Sequence, residues 1–232
     1  MISFSRSKDD KYIWLILFRH PESYKNRRDE HGGRGDHLTK EGKIQLKNAI
    51  KILKREITKN AIKIEKVYHW NVPQQAEAAV EISKFLLVPT ATDRLIRPLN
   101  LGLLGGLSRA EAIKMYPNAA KRLELWRKGE IEITDLNLPK ADSPKAFWNR
   151  GRRFITKVID SEESTILVLS RSSMILFFNM LQGRSMYKKG QYLAWDFENC
   201  SMAFFCYSDK WHLRFIKGVR APERLKAYKA DS

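Results

Sequence analysis

Only two cysteines occur in the 232 residues, and they exclude more than they supply. Cys200 and Cys206 fall on what reads as a single strand, an even number of steps apart. Both then face one side of it, and neither suits a disulfide-closed hairpin. With no further thiols there is no structural zinc pattern, and a reduced compartment fits. Long hydrophobic runs are lacking as well. The first strong one, Tyr12 to Phe18, is too short to cross a bilayer. It carries no small-residue cleavage pattern of a secretory signal, and Arg19 follows it at once. A cytoplasmic protein without a transmembrane segment is the expectation. Acidic residues are the other shortage: 26 Asp and Glu stand against 43 Lys and Arg, a net charge of +17. Such a field attracts anionic partners, whether nucleic acid, acidic lipid, phosphorylated ligands or an acidic protein. A source whose proteins are generally basic would give the same surplus, because the lysines are spread along the chain and form no block.

What is present fits one folded unit. A hydrophobic content of 43% with 30% charged residues is that of a soluble globular protein, and the length suffices for one well-buried core. No internal repeat, low-complexity segment or Gly/Ser/Pro-rich linker divides the chain. The expected organisation is an N-terminal arm over 1–11, a single domain over 12–217 and a basic tail over 218–232. Tyr12 to Phe18 reads as a central strand covered on both faces. Asn26 to His37 is a polar loop. Thr39 then caps a helix whose Leu46, Ile50, Leu53 and Ile57 form one buried face, with Lys43, Lys47, Lys51 and Lys54 as a basic stripe.

Farther on, a strand is expected at Lys66 to His69 and a helix from Pro73 to Phe85 with proline in its first turn. Ala91 to Leu107 reads as irregular and Gly-rich. Helices open at Ser108, at Ser143-Pro144 and at Ser172. A second buried strand spans Thr165 to Ser170, and Ser201 to Tyr207 pairs with His212 to Ile216 as a hairpin. Strands alternating with helices predict an α/β three-layer sandwich around a mostly parallel sheet. Trp70, Trp126, Trp148 and Trp195 either line a pocket or fill the core, and buried packing is expected for most of them.

The chemistry concentrates where the first strand ends. In an open α/β sheet that point delivers Arg19 and His20 to the crevice outside the strand's carboxyl end, where ligands bind. Arg19-His20-Pro21-Glu22-Ser23 and Asn26, followed by Gly35-Asp36-His37-Leu38-Thr39-Lys40-Glu41-Gly42, resemble the opening blocks of the histidine phosphatase superfamily, which includes the cofactor-dependent phosphoglycerate mutases. The resemblance runs from about Tyr12 to Lys217. It implies that His20 is the catalytic phosphoryl acceptor, one imidazole nitrogen attacking phosphorus while the backbone holds the other. Arg19, Asn26 and Arg171 would be the phosphate-binding residues, the arginines through their planar forks. It implies no metal and no other cofactor; His20, His31, His37, His69 and His212 show no zinc-type spacing either. The partner would be a phosphorylated small molecule or a phosphoprotein, with an acidic partner on the basic surface as a further possibility. Oligomeric state is not legible.

Other blocks depart from the family pattern. Gln74 stands in place of a second phosphate-binding arginine, and an amide carries no charge. Pro98 occupies the position of the acidic proton donor and can donate nothing. Arg171 replaces the second histidine, keeping positive charge but removing a group that titrates near neutrality. Pro21 replaces the usual glycine and has no N–H. A missing general acid typically costs about 10² to 10⁴ in rate, and each lost donor to transition-state oxygens roughly 10² to 10³. The leading expectation is therefore a pseudo-phosphatase that keeps an anion pocket around Arg19, His20 and Arg171. The alternatives are an active phosphatase or phosphomutase using His20 with a replacement acid drawn from His69, Glu22, Asp29, Glu30 or His31, and a basic interaction module working through the lysine stripe, Arg152-Arg153 and the tail from Lys217.

Overall fold

The computed structural model of the chain describes residues 12–221; the expected arm over 1–11 and most of the expected tail lie outside them. In chain order the elements are β1 (Ile13–Arg19), α1 (Tyr24–Arg27), α2 (Lys40–Lys59), β2 (Lys66–His69), α3 (Pro73–Leu86), β3 (Thr90–Thr92), α4 (Arg109–Met115), α5 (Pro117–Lys128), α6 (Pro144–Ser161), β4 (Thr165–Leu169), α7 (Arg171–Leu181), β5 (Asp196–Tyr207) and β6 (Trp211–Arg220). Short 3₁₀ turns occupy Arg94–Ile96, Gly102–Leu104 and Ile133–Asp135.

Among the described residues the strands form one six-stranded sheet in the order β3-β2-β4-β1-β5-β6. β1, β2, β3 and β4 are mutually parallel, while β5 runs antiparallel to β1 and β6 antiparallel to β5. The two-residue period of a strand explains why β1 and β4 read as unbroken apolar runs. Leu15, Leu17, Leu167 and Leu169 face one core, Ile16, Phe18, Ile166 and Val168 the other. The first core is closed by α5, α6 and α7 through residues such as Leu123, Phe154 and Phe177. The second is closed by α2 and α3 through Leu46, Leu53, Ala78 and Ile82. Helices on both faces make the three-layer α/β sandwich.

Local signals account for most boundaries. Thr39 caps α2 by accepting from Gly42 N at 2.9 Å, Ser108 caps α4 in reciprocal contact with Glu111, and Ser143 caps α6 with Pro144 in its first turn. Four expectations need correction. The hairpin is longer than the apolar run suggested, because β6 continues through Lys217 to Arg220 on an edge where polar residues face solvent. Ala91 to Leu107 is not wholly irregular: Ala91 sits in β3, and 3₁₀ turns order the rest. The face of α2 is centred on Leu46, Ala49 and Leu53, leaving Ile50 and Ile57 half-buried at its margin. The last helix starts at Arg171, capped by Ser170, one residue before Ser172. None of the described helices is long and apolar enough to cross a membrane.

Candidate active site

β1 and β4 end side by side. His20 N donates to Leu169 O at 3.0 Å, so the residues that follow each strand share one crevice at the carboxyl ends of parallel strands. A cavity of about 510 Å³ opens there. Arg19, His20, Lys25, Arg97, Arg127 and Arg171 supply its basic lining, and Asp29 and Glu30 its carboxylates. Trp70, Leu123 and Trp126 contribute apolar wall; Trp126 and Trp148 also belong to the first core, with Trp195 packed against it, whereas Trp70 lies outside both cores. Its rim is made where two glycine-containing loops touch. His31 N donates to Leu107 O and Gly106 N donates to His31 O, and a Cβ on Gly33 would press on the Gly106 backbone.

His20 is buried, and its Nδ1 lies 2.7 Å from Pro21 O. A carbonyl oxygen only accepts, so Nδ1 carries the proton and Nε2 keeps its lone pair. Pro21, which lacks an N–H, thus contributes through its carbonyl. Burial, reinforced by the Arg19 cation, pushes His20 from its ordinary 6.5 down to about 3. The imidazole is neutral at pH 7, the state a nucleophilic histidine needs.

The cations around it are held in place and poorly hydrated. Arg19 donates from Nη1 to Phe197 O in β5, and burial followed by repulsion from Arg171 lowers it from 12.5 to about 10. Arg171, the first residue of α7, forms an ion pair with Asp196 at 3.2 Å. The Nε atoms of both arginines are buried without a hydrogen-bond partner. Burial lowers Lys25 to about 8 and also lowers Arg127. Arg127 is aimed by Glu124 at 2.8 Å and by His31 Nδ1 at 3.0 Å. Several buried cations thus face one concavity and repel one another there.

The structure brings together the four expected site residues and qualifies one. Asn26 lines the cavity, but its Oδ1 accepts from Ser23 N at 3.0 Å and Ser23 Oγ at 2.9 Å, bracing the turn. Only its amide N–H₂ can face a ligand. Of the five candidate replacement acids, Asp29 and Glu30 reach the cavity and Glu22, His31 and His69 do not. Glu22 instead holds Thr39 Oγ1 at 2.6 Å and Arg27 Nε at 2.9 Å, and His69 Nδ1 lies 3.0 Å from Trp70 O. Pro98 does line the cavity. Gln74 is buried, its Oε1 accepting from Asp36 N at 3.0 Å. Lys25, Gln75 and Arg127 were missed. Nothing in the sequence separates Lys25 and Arg127 from the 43 cations of the chain, whereas Gln75 lies beside a matched position. The lysines Lys43, Lys47, Lys51 and Lys54 are exposed on α2, outside the cavity. Among the described residues no group of three or more His, Cys, Asp or Glu side chains could hold a metal ion.

A buried imidazole beside guanidinium groups, at the carboxyl ends of parallel strands, marks an α/β protein with a basic crevice. The chain belongs to the histidine phosphatase superfamily (branch 1), whose family model matches residues 15–215. Among solved structures it is similar to mycobacterial glucosyl-3-phosphoglycerate phosphatase, at 18% identity and TM-score 0.71 over 89% of this chain and 99% of that one. It is also similar to the alpha-ribazole phosphatase from Shigella flexneri, at 15% identity and TM-score 0.70 over 88% and 96%. Phosphoglycerate mutase from Bacillus anthracis gives 18% and 0.69 over 90% and 94%. At these identities the likeness is one of fold. No curated protein sequence matches at a significant level.

Proposed function

We propose that this chain is a phosphate-ester-binding member of its superfamily whose cavity holds the phosphoryl group of a small molecule or phosphoprotein with little or no turnover. It would act as a single domain over 12–217 in the cytoplasm. One observation supports the reading: Pro98, which the resemblance places at the family's proton donor, lines the wall of the cationic crevice around His20. Without an acid, an alkoxide must leave unprotonated, which forfeits about 10² to 10⁴ in rate. Arg19, Arg171 and the Asn26 amide would hold the phosphoryl oxygens, with Arg127 and Lys25 adding charge.

A second reading, an active phosphatase or phosphomutase, is favoured by the state of His20. Its neutral ring, with Nδ1 held by Pro21 O, is competent to attack phosphorus, and Asp29 or Glu30 in the same wall would supply the proton. The deciding experiment measures phosphate release from an aryl phosphate and from an alkyl phosphate across acidic to neutral pH, beside His20→Ala. The binding reading expects wild type and variant to match on the alkyl ester, with saturable phosphate binding that Arg19→Ala weakens. Alkyl phosphate turnover and a trapped phosphohistidine, both lost in His20→Ala, would establish the enzyme reading instead. The absence of phosphate binding at millimolar concentration would remove the pocket from either account.

A further inference from the structure

Gln75 is fully buried in the cavity wall at the first turn of α3. Its Oε1 accepts from Trp70 N at 3.1 Å. A backbone N–H can only donate, so this contact fixes the orientation of the amide and leaves Nε2 on the other side. Nε2 is buried and has no hydrogen-bond partner. A buried N–H₂ group left unpaired costs about 1–3 kcal/mol, and such a group in a binding cavity signals an acceptor that arrives with the ligand. The same wall holds two more unpaired buried donors, Arg19 Nε and Arg171 Nε. Three orphan N–H groups around one basic cavity match an acceptor-rich, anionic guest.

The neighbouring residue explains why the donor sits here. Gln74 occupies the position of the family's second arginine, but its Oε1 is engaged with Asp36 N. A Cβ on Gly35 would overlap that oxygen, so the amide is packed tightly under the 35–36 loop. Gln74 thus ties a loop to α3, while Gln75 is the one of the pair whose Nε2 is buried without a partner.

We propose that Gln75 is a phosphoryl-binding residue, donating from Nε2 to a non-bridging oxygen and substituting in part for the lost guanidinium. The proposal rests on the reading of the cavity as a phosphate-ester site and deepens it. A neutral amide in place of an arginine holds the oxygen without a second full charge, so the site binds more weakly but selects the same tetrahedral anion.

Titration of inorganic phosphate and of orthovanadate into wild type, Gln75→Ala, Gln75→Glu and Arg19→Ala tests this. Gln75→Ala should weaken both anions about tenfold, the usual scale for one hydrogen bond to a charged acceptor. Gln75→Glu keeps the acceptor for Trp70 N and nearly the same shape, yet it faces the anion with oxygen and should weaken binding further. Both variants should also lose most of the phosphate-induced rise in melting temperature. If Gln75→Ala binds both anions as wild type does while Arg19→Ala loses them, the role of Gln75 is wrong and the phosphate site stands. If wild type binds neither anion, the site and the role fall together. Should Gln75→Glu fail to fold, Gln75→Ala alone decides.

Discussion

Gly42 in the first turn of α2 is packed directly against the carbonyl of Glu22, so closely that a Cβ there would overlap the Glu22 oxygen. The same backbone stretch is tied from the other side, where Thr39 N donates to Glu22 O at 3.2 Å. This contact fixes the helix against the loop that follows His20, and it gives the glycine of the Leu-Thr-x-x-Gly block its physical meaning. The overlap is with backbone, which cannot swing away as a side-chain tip can. Gly42→Ala should destabilise the fold by about 1–3 kcal/mol, the range for overpacking. The midpoint of denaturant unfolding checks it.

Acid should weaken the protein through His20. Its folded-state value of about 3 lies below the ordinary 6.5, so between those pH values the unfolded chain binds a proton that the folded chain refuses. Stability from this group is present above pH 6.5 and is lost as pH falls toward 3, by up to about 1.4 kcal/mol per unit. In His20→Asn that part of the acid limb should vanish. Melting temperatures of both proteins from pH 7 to pH 4 would reveal it.

Asp196 competes with any bound anion for Arg171, to which it lies 3.2 Å away. Asp196→Asn should therefore tighten phosphate binding by about threefold, while Arg171→Ala weakens it by tenfold or more. Calorimetric titration at low and moderate ionic strength distinguishes a local ion pair from a general change of field.

Asp29 and Glu30 are the carboxylates of the cavity wall, and Glu30 is already paired with Arg28. Under the binding reading, Asp29→Asn and Glu30→Gln leave hydrolysis of an alkyl phosphate at background and tighten phosphate modestly. Under the enzyme reading, one of them lowers the rate by about 10² or more. A steady-state assay on both variants is enough.

The α2 lysines bear on the third reading of the sequence, the basic interaction module. They are exposed, so replacing Lys43, Lys47, Lys51 and Lys54 by alanine should leave stability within about 0.5 kcal/mol. If the stripe engages a polyanion, heparin or DNA binding should fall in that variant and show a shallower salt dependence than wild type. Equal binding by both proteins would place the function elsewhere.

The fold was legible wherever local physics and burial agree. The apolar runs of β1 and β4 announced central strands, and Thr39, Ser108 and Ser143 announced helix starts through their side-chain caps. Arg19-His20 at the end of β1 located the crevice. α5 was overlooked although Pro117 at its start and Gly129 after its end form a recognisable pair of signals. β3 is three residues of Thr and Ala, too short to show a period. The cavity's remaining members were hidden for a different reason. Lys25 and Arg127 meet because the segment after β1 folds against the last turn of α5, and no spacing rule encodes that meeting. Gln75 was passed over because the motif directed attention to Gln74, and no motif carries what separates the two amides, of which Gln75 is the one whose Nε2 is buried without a partner.

The crevice joins chain segments that are distant in sequence. Arg19 closes β1, Arg171 follows β4, and the two strands pair in register from Leu15 with Thr165 to Arg19 with Leu169. Between the two strands lie α1, α2, β2, α3, β3, α4, α5 and α6. Closing so long a loop costs entropy before any contact repays it. Anion occupancy is thus a reporter of complete folding. A ligand at a hundred times its dissociation constant would add about 2.7 kcal/mol to the native state, so a compound that filled the pocket would also slow the loss of folded protein.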